Sequence, residues 1–236
     1  SEKTDEEILD FLLNYHKNDI ADMMAGMTEE ERKRLYHLLG AQKVAEIFKY
    51  IEEPRKYIRE LSVESAARVI SDSDDAVDLL EDLDPEEKEQ IVRMLDEDAK
   101  KDVKMLLSYD EEEIGSCMTT NYICIPENLT IRQAMSELVK QAGENDNIMT
   151  IYVVDEKGVF AGAIDLKDLI RARENVHLED LVLKSYPYVT DHEKIDDCMD
   201  RILDYAEDSI PVLSEDKKIL GVITSEDLIE MVDNEM

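Results

Sequence analysis

One motif occurs twice in the second half of the chain. Residues 153–170 and 212–229 align without a gap at a shift of 59 positions, and seven of the aligned residues are identical. Each copy predicts a β-strand, a polar turn, a second strand led by a glycine, and a helix that opens near an acidic residue. An internal repeat constrains architecture before any single residue is interpreted. We therefore expect two similar modules that pair and form a ligand cleft, which is typical of a sensor.

A helix and an extended lead-in precede each copy of the motif. The first helix is predicted over Leu129–Gly143, with Thr130 as its N-cap, and the second over Ile195–Ala206. A strand is predicted at Tyr122–Ile125, ahead of the first helix. Residues 144–147 lengthen the loop in the first copy. Each repeat is therefore a helix–strand–strand–helix unit.

The first half of the chain has the spacing of short helices. Over residues 5–108, apolar residues recur every three or four positions. Cap signals separate the stripes at Thr28 with Glu31, at Ser62 with Ser65, and at Asp84 before Pro85. Such helices bury one face each on their neighbours and predict a superhelical array. An array of this kind is typical of a regulatory or protein-binding surface.

The charge balance is strongly acidic throughout. The chain has 59 acidic and 27 basic residues, a net charge of -32, and a pI near 4.3. Residues 1–115 carry a net charge of -17 and residues 116–236 carry -15. Nucleic acid and acidic membrane surfaces are excluded as partners, because both need a basic footprint. The excess charge favours solubility, or a polyanion whose self-repulsion is relieved by cations.

Other signals are absent from the sequence. No stretch approaches the ~18 apolar residues of a membrane span, and the polar start predicts no secretion signal. Cys117, Cys124 and Cys198 lack metal-ligand spacing, so we expect reduced structural thiols and no zinc site. The four histidines are scattered, and no nucleophile motif or phosphate-binding glycine loop occurs. The sequence therefore predicts that the chain is not an enzyme.

An acidic run at residues 72–78 stands out in the helical half. Its aspartates at 74, 75 and 78 share one side of a predicted helix start. The alternative to a metal site here is helix capping, since aspartate satisfies orphan amides at a helix start. An EF-hand is excluded, because Val77 stands where glycine is required and Leu83 where glutamate is required.

Two of these features resemble known families. The tandem pattern of strand, turn, Gly-apolar-apolar-polar and x-x-Asp resembles a pair of cystathionine-β-synthase (CBS) domains. The helical half and the joint Ser108–Thr120, SYDEEEIGSCMTT, are similar to the amino-terminal part of the MgtE family of magnesium transporters. The resemblance implies a multidomain fold, in which an all-α superhelical domain precedes an α/β tandem CBS pair. It implies domains at 1–114, 115–175 and 176–231, with 232–236 starting a helix toward a transmembrane domain.

The function that the resemblance implies is magnesium sensing at the cytoplasmic face of the cell membrane. In that family, Mg2+ bridges the acidic surfaces of the helical and CBS domains, compacts a dimer, and closes the pore at high intracellular Mg2+. The implied partners are a second copy, bound through the CBS domains, and the transmembrane pore domain of the same chain. The implied cofactors are several regulatory Mg2+ ions.

The resemblance also implies which acids bind Mg2+, an ion that needs only one or two carboxylates because it keeps several waters. These acids are Glu46, Asp74, Asp75, Asp78, Asp204, Asp208, Asp227, Glu230 and Glu235. Ala206 stands where the family has an acid, with Glu207 or Asp208 as substitutes. For each acid the alternative is a solvated helix residue.

CBS pairs also bind adenine nucleotides such as ATP. The resemblance implies that Lys167 and Asp168 do so in the first copy, and Thr224 and Asp227 in the second. Asp165 replaces the usual Thr or Ser and adds negative charge near any phosphate. The alternative role for Asp168 is a charge on the helix macrodipole. The alternative function is an adenine-nucleotide-sensing CBS module whose helical domain docks a protein.

Overall fold

The chain folds into two compact units, 1–105 and 106–236. The computed structural model describes residues 4–51, 53–73, 76–81 and 83–234. Nine α-helices are found in the described residues up to Leu106, and they form an all-α region. They are α1 (Asp5–Leu12), α2 (Lys17–Ala25), α3 (Glu29–Leu39), α4 (Ala41–Phe48), α5 (Pro54–Ile58), α6 (Val63–Ser71), α7 (Ala76–Glu81), α8 (Pro85–Met94) and α9 (Glu97–Leu106).

The predicted helix caps of the first unit are confirmed. The Thr28 hydroxyl accepts from the amide of Glu31, whose carboxylate accepts from the Thr28 amide at 2.8 Å. Ser62 caps α6 by accepting from Ser65, and Pro85 opens α8. The inward faces of these helices share one hydrophobic core, which includes the fully buried Ile70 and Leu80. The spacing of apolar residues thus predicted the architecture correctly.

A buried ion pair, which apolar spacing did not predict, ties this core together. The Arg32 guanidinium, only 6% exposed, donates to the Glu60 carboxylate at 2.8 Å and to the Met24 carbonyl at 3.3 Å. The Tyr36 hydroxyl donates to the same carboxylate at 3.2 Å. Because both charges leave water, each depends on the other for its stabilisation. The Glu60 carboxylate is therefore held in the interior by Arg32.

The second unit contains two sheets of the same design. Its strands are β1 (Ile123–Pro126), β2 (Thr150–Val154), β3 (Phe160–Asp165), β4 (Val189–Thr190), β5 (Ser209–Leu213) and β6 (Ile219–Thr224). Its helices are α10 (Ile131–Gln141), α11 (Leu166–Arg171), α12 (Ile195–Tyr205) and α13 (Ser225–Asn234). In each sheet the first two strands are parallel and the last two antiparallel.

The register of the two sheets confirms the repeat. Thr150 pairs with Asp165 in the first sheet, and Ser209 pairs with Thr224 at the same place in the second. One detail of the prediction is wrong: the second strand of each motif begins before the glycine, at Phe160 and at Ile219. A bulge at Ala161 in β3 and at Leu220 in β6, residues that the pairing skips, lets these earlier residues pair.

The repeats are joined because each lead-in pairs with the sheet of the other repeat. Thr119 exchanges two backbone hydrogen bonds of 2.9 Å with Val222 of β6, and Leu183 pairs in the same way with Ala163 of β3. The identical glycines lie at these crossings. A Cβ on Gly162 would be 2.5 Å from the Leu183 carbonyl oxygen, and one on Gly221 would be 2.7 Å from that of Thr119. Only glycine admits so close an approach.

The centre between the two sheets is aromatic and asymmetric. The buried Tyr152 hydroxyl lies 2.6 Å from the Ser209 hydroxyl, and Tyr186 donates to the Ser209 carbonyl at 2.8 Å. Burial raises the pKa of Tyr152 well above its ordinary value. Pro211 occupies the position equivalent to Tyr152 in the second repeat. The two halves of the pair therefore differ at their shared core.

The joint between the halves belongs to the second unit, which begins before the predicted boundary after residue 114. The Ile114 amide donates to the Glu193 carbonyl at 2.8 Å, and the Tyr109 hydroxyl donates to Asp191 at 3.0 Å. The Glu113 carboxylate lies 2.9 Å from Nδ1 of His192, and this hydrogen bond raises the pKa of His192. These bonds fasten residues 109–117 to the second repeat.

The close contact of Gly221 with Thr119 predicts that adding one methyl group at this glycine destabilises the second unit. Gly221→Ala is expected to destabilise the second unit by about 1–3 kcal/mol, because the new methyl overpacks against Thr119. Gly143→Ala is the matched control, since its Cβ would meet nothing closer than 3.4 Å. Hydrogen exchange of the β6 amides in urea measures both. Equal protection in the two variants would contradict the steric reading of the glycine.

Candidate functional site

The first motif ends in two carboxylates at the start of α11. Asp165 caps this helix by accepting from the Lys167 amide at 2.7 Å. Asp168 lies in the first turn, and its side chain is exposed. Among the described residues its carboxylate accepts no hydrogen bond, so it remains available to the hydroxyls of a ligand. The capping role of Asp165 was not predicted, although an acid before a short apolar helix is its signal.

The second motif has the same backbone but a different side-chain arrangement. The Asp227 carboxylate accepts from the Thr224 amide at 2.6 Å and from the Thr224 hydroxyl at 2.8 Å. The Asp227 amide donates back to that hydroxyl at 3.2 Å. This reciprocal cap fixes the start of α13. Asp227 is therefore partly engaged, whereas Asp168 is not, and the two sites are chemically unequal.

One further predicted acid lies beside the second motif. The Asp208 carbonyl accepts from the Ser225 amide at 3.1 Å, which places Asp208 at the start of α13. Its side chain is exposed, as is that of Asp204 in the last turn of α12. Glu230 lies on the same helix as Asp227. Asp208 and Asp227 thus both lie at the start of α13, while the side chain of Glu230 is outside the described residues.

The predicted acids of the helical unit are only partly visible. The Glu46 carboxylate on α4 forms an ion pair with the Lys17 ammonium at 2.7 Å, a partner that its local sequence did not indicate. Asp78 lies on α7, but its side chain is outside the described residues. Asp74 and Asp75 lie wholly outside them, as does Glu235 near the end of the second unit. Asp72 ends α6 and does not start the next helix, and burial together with Asp96 raises its pKa.

The described residues contain no preformed metal cage, and two of the three thiols have raised pKa values. Within residues 4–51, 53–73, 76–81 and 83–234, no group of three His, Cys, Asp or Glu is placed to hold a metal ion. None of the three cysteines forms a disulfide, and burial raises the pKa of Cys124 and of Cys198 to about 11. These two thiols therefore stay protonated at neutral pH.

The Thr224–Asp227 cap predicts that Asp227 stabilises the start of α13 even when no metal ion is present. In EDTA, Asp227→Ala is expected to cost about 0.5–2 kcal/mol locally, because it removes the carboxylate that caps α13. Asp168→Ala is the matched control and is expected to stay within about 0.5 kcal/mol. Hydrogen exchange of the first-turn amides of α13 and α11 gives the comparison. Equal loss at both helices would refute the asymmetry between the motifs.

Comparison with protein families matches both units. The family described as MgtE intracellular N domain matches residues 15–112, and the CBS domain family matches residues 112–175 and 178–234. A magnesium transporter MgtE of Enterococcus faecalis is 31% identical over 97% of this chain and 52% of its own length. That of Thermus thermophilus is 28% identical over 93% of this chain and 50% of its own. The chain thus spans about half the length of these relatives.

Two solved structures of magnesium transporter domains are similar to nearly the whole chain. The soluble part of a magnesium transporter matches with a TM-score of 0.92 and 30% identity, covering 98% of this chain and 93% of that one. The cytosolic domain of the Mg2+ channel MgtE in complex with ATP matches with a TM-score of 0.81 and 25% identity, covering 97% and 95%. In the described part of the chain, every helix is too short or too polar to cross a membrane. The chain belongs to the MgtE family of magnesium transporters, and its two units correspond to the intracellular N domain and the tandem CBS domains of that family.

Proposed function

We propose that the chain is the cytosolic Mg2+-sensing regulatory region of an MgtE-type magnesium channel or transporter. It acts at the cytoplasmic face of the cell membrane, is attached to a transmembrane pore domain, and regulates without catalysing a reaction. The observation that carries this proposal is the match of nearly the whole chain to the soluble part of a magnesium transporter. Its partners include no nucleic acid, in keeping with the net charge of -32.

The proposed mechanism is a switch driven by charge. Both halves of the chain are strongly negative, at -17 and -15, so they repel each other when divalent cations are scarce. Bound Mg2+ bridges carboxylates of the helical and CBS domains and favours the compact state, which closes the pore. An ion shifts such an equilibrium only through its higher affinity for one state. Bridging provides that difference, because carboxylates from both domains are available only in the compact state.

The ligands proposed for Mg2+ are the acids named from the family resemblance. Asp74, Asp75 and Asp78 are proposed as the ligands of the helical domain, joined by Glu46. The Lys17–Glu46 pair is partly exposed, and pairs of this kind contribute at most about 1 kcal/mol. Glu46 is therefore released from Lys17 at low cost when Mg2+ arrives.

On the CBS side the proposed ligands surround the start and the course of α13. They are Asp204, Asp208, Asp227, Glu230 and Glu235. Asp227 retains its bonds to Thr224 if the ion binds through water, as Mg2+ commonly does. The reciprocal cap is compatible with outer-shell coordination and holds the carboxylate in one rotamer.

The proposed homodimer is supported by apolar side chains exposed at equivalent positions of the repeats. Val139 on α10 and Leu203 on α12 are 69% and 47% exposed, and Ile170 on α11 and Ile229 on α13 are 61% and 63% exposed. Both repeats thus present apolar residues on both of their helices. Burial of such residues drives association. We propose that a second copy covers them.

Mg2+ titration tests the switch. Compaction of the chain in millimolar Mg2+ is expected by small-angle scattering and by protease protection. Asp74→Asn and Asp227→Asn are each expected to raise the Mg2+ midpoint roughly tenfold, the loss of about 1.4 kcal/mol. Asp10→Asn removes the same charge elsewhere in the helical unit and should leave the midpoint unchanged.

Two results would contradict the switch. Mg2+ that leaves both scattering and protection unaltered would exclude it for this chain. An Asp10→Asn variant that shifts the midpoint as far as Asp74→Asn would show that total charge, and not bridging, controls compaction.

Substitutions on the exposed helices test the dimer. The double variant Val139→Glu with Leu203→Glu is expected to be monomeric in sedimentation velocity, since a buried carboxylate is costly without a partner. Gln133→Glu is the matched control, because it adds a charge to α10 while keeping the cap with Thr130. A double variant that sediments like the unaltered chain would place the interface elsewhere.

A second candidate function is sensing of an adenine nucleotide, with the helical domain as a protein-docking scaffold. The observation that favours it is the similar MgtE cytosolic domain solved in complex with ATP. Asp168 is the proposed contact of the ribose hydroxyls in the first motif, with Lys167 beside it, and Thr224 and Asp227 are the proposed contacts in the second. If ATP in EDTA alters protease protection and Asp168→Asn abolishes this effect, while Mg2+ alone does nothing, this function replaces the first.

A further inference from the structure

We propose that the helical unit contains a binding site for a phosphate group, in a cavity between α3, α4 and α6. The cavity has a volume of about 530 Å³, and Lys33, His37, Ser62, Ser65 and Arg68 are among its lining residues. It lies wholly within one unit and requires no Mg2+. The site is therefore independent of the magnesium switch proposed above.

Helical spacing directs these side chains into one space. Lys33 and His37 are one turn apart on α3 and share a face of that helix. Ser62, Ser65 and Arg68 recur every three residues from the N-cap of α6 and share a face of that helix. Both faces line the same cavity. Three basic groups and two hydroxyls thus converge in a unit whose overall charge is strongly negative.

The basic groups can exchange their present partners for an anion at little cost. Lys33 pairs with Glu29 and Arg68 with Glu64, each one turn away on its own helix and exposed to solvent. Such surface pairs are weak and exchange readily. Within the described part of the chain, His37 makes neither a hydrogen bond nor an ion pair. Lys33 and Arg68 therefore gain from a ligand with several acceptor oxygens, and the His37 ring is available to it as well.

The acid that lines the cavity does not oppose an anion. Glu60 is bound by the buried Arg32 guanidinium at 2.8 Å and by the Tyr36 hydroxyl at 3.2 Å. Its negative charge is balanced by Arg32 inside the unit. Glu60 therefore adds no unpaired negative charge to the cavity.

Backbone amides at the start of α4 strengthen this preference. Gly40 and Ala41 line the cavity, and Gly40 is the N-cap of α4 without any side-chain cap bond. The first amides of an uncapped helix favour an anion through orphan donors and through the macrodipole. A phosphate group offers three acceptor oxygens and close to two charges, which match this donor set better than a single carboxylate.

The volume indicates what carries the phosphate. Cavities of roughly 300–1000 Å³ are typical of small-molecule sites, and 530 Å³ exceeds the need of a lone phosphate. The floor of the cavity includes Tyr36, Val44 and Val69, which provide apolar contact. A small phosphorylated metabolite therefore fits better than inorganic phosphate, although both share the chemistry of the site.

The test is a titration of the 15N-labelled chain in EDTA, followed by amide shifts. Inorganic phosphate and ribose 5-phosphate are the two probes. Saturable shifts are expected at His37, Ala41, Ser62 and Ser65, with ribose 5-phosphate binding more tightly. Arg68→Gln and Lys33→Gln are each expected to weaken binding roughly tenfold, because each removes one charge-assisted hydrogen bond.

The control is Arg93→Gln. Arg93 is 73% exposed and pairs with Glu89 one turn away, just as Arg68 is 70% exposed and pairs with Glu64. Its loss should leave binding unchanged. Shifts that stay linear to tens of millimolar in both probes, or equal weakening by Arg68→Gln and Arg93→Gln, would overturn the proposal. Equal affinity for both probes would support a free phosphate ion as the ligand.

Discussion

The exchange of lead-ins between the two repeats is the contact on which the second unit depends. Thr119 pairs with Val222 and Leu183 pairs with Ala163, so neither repeat completes its sheet without the other. A sheet edge left open exposes unpaired backbone groups. The exchange adds strand pairing at each edge and brings Tyr152 of one sheet to Ser209 of the other. The tandem duplication is thus one folding body.

This exchange explains which parts of the fold could be predicted. Local signals sufficed for the helices, the caps and the strand pattern, since period and turn chemistry act within a few residues. The sequence repeat showed that Gly162 and Gly221 are equivalent. It did not show why glycine is needed there, because the reason is a close contact with a segment that is distant in sequence. The contacts of the joint were also hidden from the sequence, because Tyr109 donates to Asp191, which is 82 residues away. Composition at 109–117 does not reveal that contact.

The candidate sites show the same division. The repeat aligned Asp168 with Asp227, and each lies in the first turn of the helix that follows its sheet. Their environments differ because a residue three positions upstream differs: the Thr224 hydroxyl donates to the Asp227 carboxylate, whereas the ionised side chain of Asp165 has no proton to donate. The pair Lys17–Glu46 and the buried Arg32–Glu60 required the fold, since their partners are distant in sequence. A carboxylate's partner is therefore harder to predict than the carboxylate itself.

A regulatory chain of this composition has to keep its interactions reversible. Buried pairs such as Arg32–Glu60 are fixed, because separating them would leave a charge without water or partner. Exposed pairs such as Lys17–Glu46, Lys33–Glu29 and Arg68–Glu64 separate at little cost. Ligands can therefore compete for the exposed charges without unfolding either unit. The buried charges stabilise the helical scaffold, while the exposed pairs are the ones that the proposed Mg2+ and phosphate ligands would have to separate.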